Sequence, residues 1–248
     1  MCDPSTCLIR HLSVEADGPG FKSRRAHEFL INKNPKMVDM KVVFGRPRRK
    51  RFFDTLTSKI LAVNIVIFVF TTFSDIVFNL LALTPTTAVS GMFWQFLTYM
   101  YVHGGFAHIF FNMFALLMFG PTIEETMGTK KYFIFYTLCG LGSGLFHILI
   151  NGVGIIPLVG ASGAIFGVVT AYGLMFPRNI IYVYFVPMPA IVAIGLFAGI
   201  SILFGVSGVQ GGVAHFGHLG GMIIGFILVK FFGYGRKKDH VYFWESDW

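Results

Sequence analysis

The sequence predicts an all-α, polytopic membrane protein, a bundle of six transmembrane helices, on three observations. First, 54% of the 248 residues are hydrophobic and only 13% are charged, whereas a soluble domain carries about 25% charged residues. Second, six apolar runs approach the roughly 20 helical residues that cross a bilayer core of about 30 Å. Third, if these runs alternate in direction, every loop that carries Lys or Arg lies on one side, as the positive-inside rule requires.

Turn signals delimit the six runs. The first run ends at "LTPTT", "GTKK" separates the second from the third, and "NGVGIIP" separates the third from the fourth. "FPRN" and "GVSGVQGG" delimit the fifth. The predicted spans are residues 59–82, 104–121, 131–151, 160–176, 180–204 and 213–233.

The distribution of basic residues predicts topology and domain organisation. Twelve of the 20 Lys and Arg residues lie in the first 51 residues, ending in "RPRRKR" shortly before the first span. We interpret this tail as a topology signal and expect no nucleic acid partner. The expected organisation is a basic cytosolic tail at 1–51, whose polar, weakly periodic sequence favours disorder, a six-span domain at 52–236 and a short cytosolic tail at 237–248. The predicted location is the plasma membrane, with both termini in the cytosol.

The loop between the first two spans, residues 83–103, is long and aromatic but carries no charged residue. Such a segment prefers the membrane interface, where Trp94 and the tyrosines would lie at headgroup depth. It is therefore not expected to be an ordinary hydrophilic loop.

Polar residues within spans are energetically expensive and mark candidate functional sites. Here they cluster near the non-cytosolic ends of spans two, four and six, and they can meet only if those spans pack together. The polar residues are His103, His108 and Asn112, then Ser162, then His215 and His218. Small residues four apart allow two helix backbones to approach closely. Such pairs are Gly163 with Gly167 in span four and Gly221 with Gly225 in span six.

This arrangement predicts an acyl-transfer site built on Ser162. A serine hydroxyl becomes a nucleophile when a base takes its proton, and histidine suits that role near neutral pH. No Asp or Glu lies between Glu125 and Asp239, so an acidic third member from spans three to six is excluded and a Ser-His dyad is the simplest prediction. The unpaired backbone N–H groups at the helix start, together with His108 and Asn112, would supply donors for an oxyanion.

Water must reach such a site inside a membrane. Span four is short, roughly 15 residues or about 22 Å at 1.5 Å per residue. Ser162 would therefore lie below the outer membrane surface, under a water-filled depression lined by the polar groups.

The chain resembles the rhomboid intramembrane serine proteases over about residues 59–233, with all six spans in order. The matching motifs are "HGGFAHIFFN" in span two, "EETMG" after it, "GASGAIFG" at span four and "AHFGHLGGMIIG" at span six. Each motif alone is weak, but their order on three membrane helices is highly specific.

The resemblance implies a role for each matching residue. Ser162 would be the nucleophile, and His218 rather than His215 would be the general base, because His218 is followed by the Gly221 and Gly225 pattern. His108, Asn112 and the Ser162 backbone amide would form the oxyanion hole. The supporting positions that the resemblance implies are Phe166, whose ring would stack on the base, with Gly160, Gly163, His103, Gly221 and Gly225.

The implied reaction is hydrolysis of peptide bonds in or near transmembrane segments of other membrane proteins. By resemblance, the substrates are single-span helices that unwind locally and have small residues at the cut, span five is a mobile gate, and no metal or organic cofactor is needed. One departure is Trp94-Gln95, where family members often carry Trp-Arg. The sequence leaves the physiological substrate and the oligomeric state open.

Three other interpretations are open at this point. His215 and His218, with His108 as a third ligand, could hold zinc, although that leaves Ser162 and Asn112 without a role. A small transporter or channel would also need intramembrane polar groups, but it predicts internal repeats or a polar path through both leaflets. A noncatalytic binding member of the same fold would bind substrates without cleaving them.

Overall fold

The computed structural model of the protein describes residues 52–183, 185–207 and 214–234. The tails predicted at 1–51 and 237–248 lie outside the described residues, as does most of the glycine-rich segment predicted between spans five and six.

The described residues form nine α-helices, two short 3-10 turns and one small hairpin. The helices are α1 (Leu56–Phe73), α2 (Asp75–Leu81), α3 (Pro85–Val89), α4 (Gln95–Thr98), α5 (Phe106–Met127), α6 (Thr129–Asn151), α7 (Ser162–Met175), α8 (Ala190–Ser207) and α9 (His215–Phe231). The 3-10 turns are Phe52–Asp54 and Tyr99–Tyr101. Strands β1 (Ile180–Val183) and β2 (Val186–Pro189) pair antiparallel between α7 and α8.

Six of these helices correspond to the predicted spans, which confirms the all-α polytopic fold class. By length and composition, α1, α5, α6 and α8 can each cross a membrane, whereas α7 and α9 are apolar but shorter, with 14 and 17 residues. A 14-residue helix extends about 21 Å, so the prediction of a short fourth span is confirmed.

The first span is interrupted near its end. The predicted span 59–82 divides into α1 and α2 at Ser74, whose backbone is extended and whose hydroxyl accepts a hydrogen bond from Val77 N at 3.3 Å. Serine favours helix caps because its side chain replaces a missing backbone partner, and this is why the chain restarts as a new helix there.

The prediction of a fifth span over 180–204 is wrong in its first half. Residues 180–189 form the β1–β2 hairpin, and the helix begins only at Ala190 and extends to Ser207. The run before Ala190 is rich in β-branched and aromatic residues, which favour strands. Pro187 and Pro189 also remove backbone N–H groups that a helix would need.

The loop at 83–103 is organised around one buried side chain. Gln95 is fully buried, its Oε1 accepts from Thr84 N at 3.2 Å and from Thr87 Oγ1 at 2.9 Å, and its Nε2 donates to Asn79 O at 3.1 Å. The neighbouring Trp94 is partly exposed and donates from Nε1 to Leu80 O at 2.9 Å. A neutral amide therefore organises this loop, at the position where the sequence departs from the Trp-Arg that the resemblance implies.

The core lies where α6, α7 and α9 meet, with α5 on the other side of α7. α9 packs most extensively against α7 and α6, while α8 has only three buried residues, Ala190, Ala193 and Ser201. α7 is therefore central, and α8 is peripheral.

Candidate active site

The loop that leads into α7 is fixed by backbone hydrogen bonds to the 83–103 segment. Leu83 and Leu158 exchange two hydrogen bonds, at 3.0 and 2.8 Å, and Gly160 N donates to Tyr99 O at 3.0 Å. Gly160 has φ of +116°, a conformation that L side chains rarely adopt and glycine tolerates. These contacts set the position at which Ser162 begins its helix.

Ser162 and His218 are brought together across the packed pair α7 and α9. The Ser162 Oγ and His218 Nε2 atoms are 2.8 Å apart, although the residues are 56 positions apart in the chain. With the imidazole proton on Nδ1, Nε2 accepts the hydroxyl hydrogen, which is the arrangement a general base requires. Both side chains are partly buried.

Glycines make this contact possible by letting the two backbones touch. A methyl group at Gly221 would collide with the backbone oxygen of Gly163, and one at Gly225 would lie 2.8 Å from the Gly167 Cα. The predicted close approach of these two helices is therefore confirmed, and its purpose is geometric. It places the first turn of α9 beside the first turn of α7, where the Ser162 and His218 side chains lie.

The aromatic side chain one turn after Ser162 stacks on the imidazole. The rings of Phe166 and His218 have centroids 4.4 Å apart and planes 25° apart, and Phe166 meets Phe197 of α8 edge-on at 5.6 Å. This stacking orients the His218 ring.

His108 lies near the Ser162 hydroxyl, beside the Gly160 loop. A methyl group at Gly160 would lie 2.7 Å from His108 Nε2 and 3.7 Å from Ser162 Oγ, so the two atoms face a common space. Gly104 N donates to His108 Nδ1 in a long hydrogen bond of 3.5 Å. This bond favours the tautomer with hydrogen on Nε2, which leaves a donor directed at that space.

Asn112 shares the His108 face of α5 and is 6% exposed. Its Nδ2 donates to His108 O at 3.0 Å, which uses one of the two N–H groups of the amide. The other N–H is the donor that an oxyanion would require.

Two further histidines flank the site. His103 is buried and meets His108 edge-on with ring centroids 5.1 Å apart. Burial, aided by the neighbouring His108, lowers the pKa of His103 to about 4, so its ring is neutral at pH 7. His215 stacks on Phe204 of α8 at 5.6 Å, while Ser162 pairs with His218.

Sequence reasoning missed two residues that support the site. Ser143 of α6 is buried where Gly163 and Gly217 meet, so that a side chain at Gly163 would collide with it. Tyr99 is also buried, and its hydroxyl donates to Gly140 O at 2.7 Å while its backbone oxygen accepts from Gly160. The run of small residues "CGLGSG" in span three was the available signal, because such runs mark close helix contacts.

The described residues contain no group of three or more His, Cys, Asp or Glu side chains placed to hold a metal ion. The zinc interpretation required His108, His215 and His218 to converge on one point. That interpretation has no geometric support within the described ranges.

Comparison with known proteins finds similarity to one family, the rhomboid proteins, in both the family model and the relatives. The family model for the Rhomboid domain matches residues 90–235. The chain is 31% identical over 162 residues to RHOMBOID-like protein 5 of Arabidopsis thaliana, covering 63% of this chain and 52% of that protein. It is 30% identical over 145 residues to the rhomboid protease GluP of Bacillus subtilis, covering 58% of this chain and 27% of GluP. It is 30% identical over 86 residues to the putative rhomboid protease YdcA of the same bacterium, covering 35% of this chain and 43% of YdcA.

The chain thus spans about half the length, or less, of the curated relatives it matches. The matched region of the family model begins in the 83–103 loop and includes Ser162, His218, His108 and Asn112.

Proposed function

This chain belongs to the rhomboid family, whose model matches more than half of it, and we propose that it is an intramembrane serine protease with a Ser162–His218 dyad. The observation that carries the proposal is the 2.8 Å contact between Ser162 Oγ and His218 Nε2. The protein is an integral membrane protein with at least four helices able to span a bilayer among the described residues. The relatives named as proteases support the same reaction class.

In the first step, Ser162 Oγ attacks the carbonyl carbon of the scissile peptide bond. His218 Nε2 takes the hydroxyl proton as the C–O bond forms, and the carbonyl oxygen gains the negative charge. The Phe166 ring holds the imidazole plane during this transfer, because it stacks on His218 at 4.4 Å.

The developing oxyanion would be stabilised by three donors. These are His108 Nε2–H, the free N–H of the Asn112 amide and the Ser162 backbone N–H at the positive end of α7. Donors fixed before the reaction act strongly in a site shielded from bulk water. The backbone bonds of the Gly160 loop and the packing of α5 fix these groups in advance.

The tetrahedral intermediate then collapses. The C–N bond breaks, protonated His218 gives its proton to the leaving amine, and an acyl ester remains on Ser162. Water attacks this ester, His218 accepts a water proton and returns it to Ser162 Oγ, and the carboxylic acid product leaves.

Glu124 is too far away to act as an acidic third member. It lies 16 residues after His108 on the same helix, which corresponds to about 24 Å along the axis. The dyad therefore acts without an acid from α5.

Substrates would be single-span proteins that enter the site from the bilayer beside α8. This helix has only three buried residues and is the least restrained of the long spans. A substrate helix must unwind locally, because helical peptide bonds are shielded by their own hydrogen bonds, and small residues ease unwinding next to the Gly160 loop.

We assign the end of the bundle that carries Lys130, Arg178 and Lys230 to the cytosol. Arg178 follows the last residue of α7 and Lys230 lies in the last turn of α9, whereas Ser162 and His218 lie in the first turns of these helices. Lys130 lies at the start of α6, which runs in the opposite direction, and Lys and Arg favour the cytosolic side. The site would then open to the non-cytosolic face of the plasma membrane. Two relatives are named as mitochondrial proteins, so fractionation of cells that express a tagged chain is the test of this location.

The decisive experiment is cleavage of a transmembrane model substrate by the purified protein in vesicles. We expect the wild type to cleave, and we expect Ser162→Ala and His218→Ala to lose at least about 10³-fold in kcat, since dyad members act as a unit. A fluorophosphonate probe should label the wild type and fail to label Ser162→Ala.

Matched controls are Ser90→Ala, at an exposed serine in the 83–103 loop, and His147→Ala, at a histidine of α6 that is not part of the proposed site. Both should retain cleavage and labelling. Substrate binding without cleavage by the wild type would instead support the noncatalytic interpretation, and loss of activity to a chelator would contradict the dyad.

A further inference from the structure

The β1–β2 hairpin joins α7 to α8 at the end of the bundle opposite to Ser162. Ala190 N donates to Asn179 O at 2.8 Å, which closes the base of the hairpin against the first turn of α8. Ile181 is buried against Ala190 and Ala193. Because α8 begins immediately after β2, the hairpin cannot lie far from the membrane surface.

Both faces of the hairpin are apolar. Pairing of Ile180 with Pro189 and of Tyr182 with Pro187 puts these four residues on the face opposite to Ile181. On that outer face Ile180 is 57% exposed and Tyr182 is 69% exposed. An antiparallel hairpin with one face in water normally carries polar residues on that face, whereas the one polar group on this face is the Tyr182 hydroxyl, and tyrosine is typical of the membrane interface.

The two prolines also remove donors from the outer edge. A proline cannot donate to a strand partner, so Pro187 and Pro189 occupy positions whose N–H groups would have pointed away from β1. An edge without those N–H groups avoids the cost of placing unsatisfied donors in a region poor in water.

The turn of the hairpin presents an aromatic side chain in a strained conformation. Phe185 is 95% exposed and has φ of +68°, in the left-handed region that is unfavourable for a bulky residue. A glycine or asparagine would fit that backbone more easily, yet the chain places a large apolar ring there. Strain that persists in this way is a signal of function.

One positively charged side chain, that of Arg178, lies at the base of the hairpin. Arg178 is exposed, and it is the one charged residue in the sequence between Lys131 and Lys230. Apolar side chains next to one arginine match the boundary between acyl chains and lipid phosphates. The exposed surface also continues onto Ile191 and Val192 of α8, which are 43% and 53% exposed.

We propose that the outer face of this hairpin and Phe185 insert into the headgroup–acyl boundary of the leaflet on the Arg178 side, with Arg178 against lipid phosphate. The partner is the lipid bilayer itself. This insertion holds the first turn of α8 at a fixed depth, so that movement of α8 is largest at its far end, near Phe204. The proposal is independent of the protease assignment.

The test measures the depth of position 185 in vesicles of phosphatidylcholine and phosphatidylglycerol. Phe185→Cys is made in full-length protein that also carries Cys2→Ser and Cys7→Ser. The remaining cysteine, Cys139, is buried against Gly167. The same protein without Phe185→Cys is treated with the label in parallel, and its signal measures any background from Cys139. A nitroxide is attached, and its collisions with oxygen, which concentrates in lipid, are compared with those of a water-soluble nickel complex. Size-exclusion profiles confirm that the variants are folded.

The matched control is Glu125→Cys, at an exposed, charged position at the same end of the bundle. We expect oxygen to dominate at position 185 and the nickel complex to dominate at position 125. Dominance of the nickel complex at both positions would overturn the proposal. Protection of position 185 from both reagents would also overturn it, because the hairpin would then be covered by protein.

Discussion

The polar groups at the two ends of the α5 helix differ in how many hydrogen bonds they form within the protein. At one end, the Glu124 carboxylate is 4% exposed and accepts four hydrogen bonds of 2.8 to 3.0 Å. Its donors are Leu56 N, Thr57 N, Thr57 Oγ1 and Thr129 Oγ1. At the other end, Ser162, His218, His108 and Asn112 form few bonds with each other and leave donors directed at a common space.

The difference separates a structural polar group, Glu124, from groups whose arrangement fits the proposed chemistry. The Glu124 oxygens are fully used and cap the start of α1, so they can offer nothing to a ligand. At the Ser162 end, the hydroxyl has a base at 2.8 Å and unused donors nearby, which is the arrangement an incoming carbonyl requires. The two sites therefore differ in whether their hydrogen-bonding groups already have partners within the protein, and not in how deeply they are buried.

The largest effect on stability should come from Glu124→Ala. It removes the carboxylate that accepts four hydrogen bonds, two of them from backbone N–H groups, and we expect a loss of at least about 3 kcal/mol in the free energy of unfolding. Steric-trapping or thermal unfolding in micelles measures it. Cleavage per folded molecule should be unchanged, and the exposed neighbour Glu125→Ala should unfold like the wild type. Equal effects of the two variants would contradict the comparison.

The next largest effect should come from Gly221→Ala, which forces α9 away from the Gly163 backbone. Overpacking costs about 1–3 kcal/mol, and separation of Ser162 from His218 should also reduce kcat. The matched control is Gly199→Ala in α8, where an added methyl group meets no atom within 4 Å. That control should be neutral or slightly stabilising. Full activity in Gly221→Ala would show that the close approach is unnecessary.

A smaller effect is expected for Phe166→Leu, which keeps an apolar side chain but removes the stack on His218. Aromatic stacking contributes about 0.5–1.5 kcal/mol, so kcat should fall by roughly 2- to 10-fold with little change in KM. Steady-state cleavage in vesicles measures the change, with the lipid-facing Phe110→Leu as control. A change in KM alone would indicate that Phe166 contacts substrate instead of orienting the base.

The smallest expected effect is a loss of folding stability at lower pH, caused by His103. Because the pKa of His103 is lowered to about 4 in the folded protein, the unfolded chain, with a pKa near 6.5, binds the proton first as the pH falls. Stability is therefore full above about pH 6.5 and is lost toward pH 4. Between pH 7.5 and 6 the contribution of His103 to this loss should be about 0.8 kcal/mol. Thermal unfolding at the two pH values should show a smaller loss in His103→Asn, and an equal loss would assign the effect to other groups.

The sequence by itself determined the membrane class and the order of the spans, and it supplied the residues that we propose for the site. These are properties of composition and local pattern, such as apolar run length, the one-sided distribution of Lys and Arg, and the appearance of Ser162, His108 and His218 in otherwise apolar helices. A pattern of this kind depends only on the free energy of placing each residue in lipid. That free energy can be judged from the residue type, without knowing which residues are its neighbours in space.

Only the tertiary structure decided which of these residues meet and which segments are not helical. Hydropathy could not distinguish the strand-forming run 180–189 from the helix after it, since both are apolar and the difference depends on prolines and on packing against α8. Likewise, Ser143 and Tyr99 gained their roles from contacts with residues distant in the chain. The 2.8 Å distance between Ser162 and His218 exists because Gly163 and Gly221 permit two backbones to touch, and contact between distant segments is a property of the packed bundle.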